Sequence, residues 1–381
     1  MITAAALCAL GLSGVARSWP MPDRAPTQYV DPPPGPEGGL GLNEIPQYVY
    51  YSDFDFQSLN LALNQEWIEL DLFHYGLAKF SDDEFDEAGI DAEQRYLLQF
   101  MAEQEVGHAT LIQTLLQGNG AKQCNYTYPF NTVREFIDFS QKLTRWGESG
   151  VYGFLEHLDS RAAAEMLLQS ITTEARQQMI FRQMEGLFPM PIHFTTGLPQ
   201  SMAWTLLSPY LTSCPEENPR ITFQLFPYLY IDNNPNASVL TNGTEGNNTY
   251  PAITRNRTEP LSTPGRQVFL HWDAPGQNVS YDNSYVTETT AGEPKFAAWI
   301  SQLNVTYTEL VDVNLTARTA STYQPGGSLY NDTNPFGQDP FGVVNGTQFI
   351  VLTDTDLFVT PFNTSQMNPH VVAGPAMYQS G

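Results

Sequence analysis

A glutamate and a histidine face inward on what the sequence predicts to be one long amphipathic helix, over residues 95–116. The predicted inner stripe alternates steps of three and four residues and consists of Leu98, Met101, Glu105, His108, Ile112 and Leu115. Glu105 and His108 have an E-x-x-H spacing, one turn apart, at positions where apolar side chains are expected. A buried carboxylate and imidazole are costly unless a partner compensates them. A metal ion held between helices is one such partner.

Three further predicted helices each place one glutamate on an inner stripe, namely Glu66, Glu148 and Glu174. Residues that face each other in an antiparallel helix pair lie equally far from the turn. The sequence midpoint between Glu66 and Glu105 falls in the connection between their helices. The midpoint between Glu148 and Glu174 falls beside the predicted turn at Asp159 and Ser160. The four carboxylates are therefore expected at one level, as in a dinuclear site that uses two Glu and two E-x-x-H motifs. The second motif is altered, because Gln177 stands where histidine is expected.

Other polar residues of these helices fit this pattern less well. Glu69 lies on a face adjacent to Glu66 and is a second candidate on the first helix, although a solvated or peripheral position is expected for it. The same peripheral position is expected for His74, Glu103, Glu156 and His157.

Caps and stop signals delimit the helices. The first is expected over residues 54–78, the second from a cap at Asp91 to a stop at Gly118, and the third after a capping box at Thr132. A turn at Asp159 and Ser160 precedes a fourth helix that reaches about residue 185, and a shorter fifth helix is expected over 199–211. Three glycines in the third helix predict a close approach or a local irregularity: Gly147, Gly150 and Gly153.

Composition excludes some partners. The 381 residues carry 17 basic and 41 acidic side chains, a net charge of −24. This charge argues against binding to nucleic acid or to anionic membrane surfaces. Beyond the N-terminus there is no apolar stretch of about 18 residues, so no transmembrane helix is expected.

Two features of the chain predict a secreted glycoprotein. Residues 1–16 form a short apolar run with a small-x-small cleavage site, which predicts a signal peptide. N-glycosylation sequons, most of them in the last third of the chain, are found at Asn125, Asn236, Asn242, Asn247, Asn256, Asn278, Asn304, Asn314, Asn331, Asn345 and Asn363. Residues 17–51 are rich in Pro and Gly and are expected to form an extended arm.

Two cysteines remain once Cys8 is removed with the signal peptide. Cys124 and Cys214 are expected to form a disulfide in an oxidising compartment, and two free buried thiols are the alternative.

The pattern of apolar residues changes after Cys214. Short β-rich runs at residues 221–230, 267–272, 304–314 and 348–359 are separated by turns and sequons, and one helix is expected over 294–303. The predicted fold class is α+β multidomain: a helical bundle with the short fifth helix over residues 52–215, then a β-rich, sandwich-like glycosylated region over 216–381.

The chain resembles the ferritin-like domain family, specifically its fungal secreted stress-response branch, and is similar to plant desiccation-related proteins. The resemblance covers roughly residues 50–235 and is carried by the segments LNLALNQEWIELDLFHYGLAKFS (59–81), RYLLQFMAEQEVGHATL (95–111), WGESGVYGFLEHLDSRAAAEMLLQSITTEARQQMIFRQMEGLFPMP (146–191) and MAWTLLSPYLTSCP (202–215). It implies an antiparallel four-helix bundle and a role in stress or starvation. Family members with a full ligand set bind two iron or manganese ions; the matching positions here are Glu66, Glu105, His108, Glu148 and Glu174, with Gln177 in place of the second histidine.

Three hypotheses of function follow. The first is a secreted glycoprotein with a structural or protective role and a degenerate dinuclear site, whose carboxylates pair with Arg176, tyrosines or each other. The second is a dinuclear Mn/Fe carboxylate oxidase or catalase-like enzyme. The third is a structural protein with a single metal ion at the bundle centre. Expected associations are N-linked glycans, a cell wall or extracellular matrix, and self-association.

Overall fold

The helical region is built on four long helices that begin at polar caps. In the computed structural model, which describes residues 48–237, 261–326 and 346–381, Ser52, Asp91, Thr132 and Ser160 each accept a hydrogen bond from the backbone N–H three residues on. The helices of this region are α1 (Asp53–Lys79), α2 (Asp82–Glu87), α3 (Ala92–Leu115), α4 (Val133–Tyr152), α5 (Arg161–Met184) and α6 (Gln200–Leu207). These bounds lie within a few residues of the expected ones, because caps and stop signals act locally.

The four long helices pack side by side. α1 packs along α3, α4 packs along α5, α1 also packs along α4, and α3 contacts α5. The inner stripe expected on the E-x-x-H helix is confirmed, since all six of its members are buried. The interior of the helical region therefore receives side chains from all four long helices, two of which contribute the E-x-x-H-type motifs.

Two short strands and a disulfide join the segment after α3 to the segment after α6. β1 (Asn125–Tyr126) pairs antiparallel with β2 (Leu211–Ser213). Beside this pair, Cys124 and Cys214 form a disulfide with an S–S distance of 2.06 Å. The expected disulfide is thus confirmed, and the alternative of two free thiols is wrong.

The C-terminal region is β-rich, as expected, and its two larger sheets are antiparallel. One four-stranded sheet has the order β3-β4-β10-β9 and the other has the order β12-β11-β7-β8. The strands are β3 (Leu229–Ile231), β4 (Gln267–Trp272), β5 (Asn278–Val279), β6 (Tyr285–Val286), β7 (Phe296–Ser301), β8 (Asn304–Glu309), β9 (Val311–Asn314), β10 (Thr319–Tyr323), β11 (Thr347–Thr353) and β12 (Val371–Gln379). The run 304–314, expected as one strand, divides between the two sheets, and the run 221–230 is strand only at its end.

The expected helix over residues 294–303 is wrong, because this segment forms strand β7. β7 lies between β11 and β8, so both of its edges are hydrogen-bonded. Ala297 and Trp299 belong to an apolar cluster shared with the other sheet, whereas Ala298 and Ile300 belong to a cluster shared with the helices. A strand buried on both faces gives a continuous apolar run, whose periodicity does not distinguish it from a helix.

The helical and β-rich regions share one apolar core. The cluster that contains Trp204 of α6 also contains Ile300, Phe349 and Val371 of the second sheet. None of the described helices is both long enough and apolar enough to cross a membrane. The predicted signal peptide (1–16) and most of the predicted arm (17–51) lie outside the described residues.

Candidate metal centre

His108 of α3 lies at the centre of a buried group of carboxylates. Its Nδ1 atom is 2.8 Å from Glu105 Oε2, 3.2 Å from Glu66 Oε2 and 3.9 Å from Glu174 Oε1. One ligand atom from each of Glu66, Glu105 and His108 lies within 4.8 Å of the other two, and all three residues are buried. We refer to these three residues as the Glu–Glu–His group.

Thr173 of α5 forms a hydrogen bond with the other imidazole nitrogen. Its hydroxyl donates to the carbonyl oxygen of Ser170 at 2.7 Å, so toward His108 Nε2, 2.9 Å away, the same oxygen acts as an acceptor. The Nε2 atom therefore carries a hydrogen, and Nδ1 faces the carboxylates. This arrangement of a metal-binding histidine, oriented by a hydrogen bond from its second nitrogen, is common in metalloproteins.

The structure adds Glu69 to the carboxylates at the centre. Glu69 lies one turn after Glu66 on α1, is buried, and accepts a hydrogen bond of 2.7 Å from Gln65 Nε2 at its Oε1. The peripheral position expected for Glu69 is wrong, because α1 is enclosed on most sides by α3, α4 and α6. The spacing of three residues between Glu66 and Glu69 is the feature of the sequence that indicates a shared helix face. The other residues expected at the periphery are exposed, namely His74, Glu103, Glu156 and His157.

Glu174 and Gln177 of α5 also approach the Glu–Glu–His group. Gln177 Nε2 donates to Glu105 Oε1 at 2.6 Å and lies 3.2 Å from Gln104 Oε1. Glu174 Oε2, Gln177 Oε1 and Glu69 Oε2 are buried and have no hydrogen-bond partner among the described residues. Buried polar atoms are normally paired, so these three oxygens are candidate ligands for a cation.

Glu148, expected as the fourth carboxylate of the site, has protein partners of its own. Arg145 Nη1 lies 3.2 Å from Glu148 Oε2, and the Thr195 hydroxyl donates to Glu148 Oε1 at 3.4 Å. Both Arg145 and Glu148 are buried on α4. Glu148 does not belong to the Glu–Glu–His group. Arg176, offered as a partner for the carboxylates, is exposed on α5.

Burial and like charge raise the pKa of Glu66, Glu69 and Glu174 and make these carboxyl groups hard to ionise. Burial raises the pKa of Glu66 to about 7, against the lowering effect of His108. Burial, followed by repulsion from neighbouring carboxylates, raises the pKa of Glu69 and Glu174 well above the usual range. Burial alone would lower the pKa of His108, but Glu66 and Glu105 raise it to about 12. The site therefore holds positive charge as protons, which a cation can replace.

The donor set suits a divalent cation. Carboxylate oxygens with an imidazole nitrogen bind Mn, Fe and similar first-row ions well. The Glu–Glu–His group supplies two carboxylates and one imidazole, and the carboxylates of Glu69 and Glu174 are close enough to Glu66 and Glu105 to be repelled by them. The residues present therefore fit a metal ion of the kind that ferritin-like proteins bind.

The described sequon asparagines lie outside the helical interior. Exposed positions are held by Asn125, Asn236, Asn278 and Asn314, and half-buried ones by Asn304 and Asn363. The predictions for Asn242, Asn247, Asn256, Asn331 and Asn345 fall outside the described residues.

Comparison with known proteins agrees with the helical site. The profile of the ferritin-like domain matches residues 54–187, the stretch that holds all the residues of the centre. Protein rds1 of Schizosaccharomyces pombe (strain 972 / ATCC 24843) is 55% identical over 354 residues, which cover 91% of this chain and 86% of that protein. The chain belongs to the family of ferritin-like proteins that includes protein rds1.

Proposed function

We propose that this chain is a metal-binding ferritin-like protein with a structural or protective role, whose degenerate dinuclear site holds one Mn or Fe ion. Convergence of Glu66, Glu105 and His108 within 4.8 Å is the observation that carries the proposal. Gln177 in place of a histidine and the pairing of Glu148 with Arg145 support one ion over two. An amide is a weaker ligand than an imidazole, and an arginine competes with any cation for its carboxylate.

The residues around the Glu–Glu–His group hold the ligands in place. Thr173 fixes the ring of His108 so that Nδ1 faces the centre, and Gln177 holds one oxygen of Glu105. Trp146 Nε1 donates to Gln65 Oε1 at 2.7 Å, and Gln65 in turn donates to Glu69. A bound Mn or Fe ion would supply Lewis-acid and one-electron redox chemistry at this position.

Metal content of the purified protein tests the proposal. We expect about one equivalent of Mn or Fe per chain in the wild type, as one intact half of a dinuclear site would bind. Glu105→Gln should abolish binding, because it removes the carboxylate between His108 and Gln177. Glu103→Gln is the matched control, since Glu103 is exposed on the same helix. A wild type that contains no metal after loading, and whose melting temperature does not change with chelator, would contradict the proposal.

A dinuclear oxidase or catalase-like enzyme is a second candidate. It is favoured by the unpartnered oxygens of Glu69 and Glu174, which could hold a second ion. Two equivalents of metal, together with peroxide or oxygen consumption that is lost in Glu105→Gln, would select this candidate. One equivalent without turnover would select the first.

We also propose the wider setting of this site. The four long helices form an antiparallel bundle over residues 52–215, and the two sheets of residues 216–381 form a sandwich, supported by the apolar cluster that both sheets share. The chain is a secreted N-glycoprotein of the stress-response branch, in a cell wall or extracellular matrix. A mobility shift of the secreted protein on treatment with an N-glycosidase tests the glycosylation, and an unchanged mobility would contradict it.

A further inference from the structure

A cavity of about 340 Å³ lies beside the metal centre, between α4, α5, residues 189–195 and the start of β11. Glu148 lines this cavity, with Arg145 and Arg176. Residues Gln177 and Gln178 are neighbours on α5, but Gln177 contacts Glu105 whereas Gln178 lines the cavity. The cavity is thus a site of its own, because none of Glu66, Glu105 and His108 lines it.

The walls of the cavity are held by specific hydrogen bonds. Gln141 Nε2 donates to Gln178 Oε1 and to Thr347 Oγ1, both at 2.9 Å, which joins α4, α5 and β11. Arg182 donates to the carbonyl oxygens of Phe188 at 2.8 Å and of Gly381 at 2.7 Å, and so fixes the segment that follows α5. The cavity is therefore largely preformed, as small-molecule sites usually are.

The next segment is held from the β-rich side. The turn between β7 and β8 contacts it through Gln302, whose side-chain oxygen accepts from the His193 backbone N–H at 2.9 Å. The carbonyl oxygen of Gln302 accepts from the Thr196 hydroxyl at 2.9 Å. The outer wall of the cavity is thus tied to both regions of the chain.

The charge of the lining is opposite to that of the whole chain. Three arginines line the cavity against one glutamate, although the chain carries only 17 basic side chains and a net charge of −24. Arg182 donates hydrogen bonds to backbone carbonyls, so Arg145 and Arg176 are the arginines of the lining that can bind an anion. Arg176 is exposed and has no acidic partner among the described residues. Guanidinium groups bind carboxylates through two parallel hydrogen bonds.

The rest of the lining is largely apolar. Met179 of α5 and Met190 and Ile192 of the outer wall face the same space. Met190 is 65% exposed, so a large apolar side chain lies at the edge of the cavity without cover. A doubly charged oxyanion fits such a lining poorly, because Glu148 lowers the positive charge and six of the fourteen lining side chains offer no hydrogen bond.

We propose that this cavity binds a small organic monocarboxylate with an apolar body. The carboxylate pairs with Arg145 and Arg176, and the apolar body lies against Met179, Met190 and Ile192. In the free protein the Glu148 carboxylate occupies Arg145 and competes with the ligand.

Titration calorimetry with benzoate as the probe tests this assignment. Benzoate should bind the wild type, and benzamide, its neutral isostere, should bind about tenfold more weakly or worse, as expected for loss of a charged hydrogen bond. Arg176→Gln should weaken benzoate to a similar extent. Arg161→Gln is the matched control, because Arg161 is exposed at the start of the same helix and does not line the cavity.

Two further variants separate this cavity from the metal centre. Glu148→Gln should tighten benzoate binding, because it removes the competing carboxylate from Arg145. Glu105→Gln and chelator should leave benzoate binding unchanged, since neither alters the cavity. Loss of binding on chelation would mean that benzoate binds a metal ion, and would overturn the proposal.

Other results would overturn the proposal as well. The proposal is wrong if benzoate does not bind the wild type, or if benzoate and benzamide bind equally well. It is also wrong if an Arg176→Gln variant with the wild-type melting temperature binds benzoate as the wild type does. Sulfate that competes as strongly as benzoate would assign the cavity to inorganic oxyanions instead.

Discussion

At the scale of single residues, Gln177 is the position that distinguishes this centre from a complete dinuclear site. Its amide nitrogen donates to Glu105 Oε1 at 2.6 Å, and its oxygen is buried without a partner among the described residues. The side chain thus occupies the place of a ligand but points its donor at another ligand.

Replacement of this residue should restore the second half of the site. We expect Gln177→His to raise the bound Mn or Fe from about one to about two equivalents per chain, because it completes the second E-x-x-H motif. Elemental analysis after loading with metal measures the stoichiometry. Gln183→His, at a half-buried position later on α5, is the control and should keep the wild-type value. An unchanged stoichiometry in Gln177→His would show that another feature, such as the Arg145–Glu148 pair, excludes the second ion.

The titration of the centre predicts how the stability of the metal-free protein depends on pH. Glu66 has a pKa raised from 4.5 to about 7, so between these values the folded chain retains a proton that the unfolded chain has lost. The pKa of His108 is raised from 6.5 to about 12, which has the same sign at higher pH. Both groups therefore stabilise the fold most at low pH, and their contribution falls as pH rises through 4.5–7 and then above 6.5.

Urea unfolding of chelated protein between pH 5 and pH 8 measures this effect. The free energy of unfolding should fall with pH in the wild type and in Glu103→Gln. Glu66→Gln should show a smaller fall, because it removes the carboxyl whose pKa is raised. A slope that is equal in Glu66→Gln and the wild type would contradict the assignment to Glu66.

At the scale of elements, the glycines of α4 and of its C-cap allow other segments to approach this helix. A Cβ atom built on Gly147 would meet Glu69 Oε1 at 2.5 Å, and one on Gly150 would meet Ala203 of α6 at 2.9 Å. At Gly153 the same atom would overlap the backbone carbonyl of Leu198, whose N–H donates to Ser149 O at 2.8 Å. The close approach predicted from these glycines is therefore confirmed.

A pair of glycine substitutions tests this packing. Gly153→Ala should destabilise the protein by about 1–3 kcal/mol, because the backbone of residue 198 must move. Gly107→Ala should instead stabilise it by roughly 0.5–1 kcal/mol, because Gly107 lies in α3 with nothing within 4 Å of its added Cβ. Chemical denaturation gives both values. Equal effects of the two substitutions would mean that the approach at Gly153 does not limit packing.

At the scale of the whole molecule, one disulfide closes a large part of the helical region. Cys124 and Cys214 are 90 residues apart, and α4, α5 and α6 lie between them. Reduction should lower the free energy of unfolding by about 4–5 kcal/mol on the chain-entropy estimate for a loop of this length. Denaturation with and without reductant measures the difference. A Cys124→Ser/Cys214→Ser variant should not respond to reductant, and an unaffected wild type would show that the crosslink contributes little.

Helix bounds, the disulfide and most residues of the centre could be predicted from the sequence because each depends on local or pairwise information. Caps act within one turn, the inner stripe follows the helical period, and Cys124 and Cys214 are the two cysteines beyond the predicted signal peptide. The prediction that Glu66 faces Glu105 and that Glu148 faces Glu174 likewise needs only the positions of the turns in the sequence.

The partners of those residues were decided by tertiary packing. The burial of Glu69 depends on how many helices enclose α1, and the pairing of Glu148 depends on where Arg145 and Thr195 lie in three dimensions. Strand β7 was mistaken for a helix because its apolar run results from burial on both faces by elements distant in sequence. The residue types of a metal centre are thus determined by the sequence itself, whereas the tertiary structure decides which carboxylates face one another and which are already paired, because desolvation and charge pairing arise only on packing.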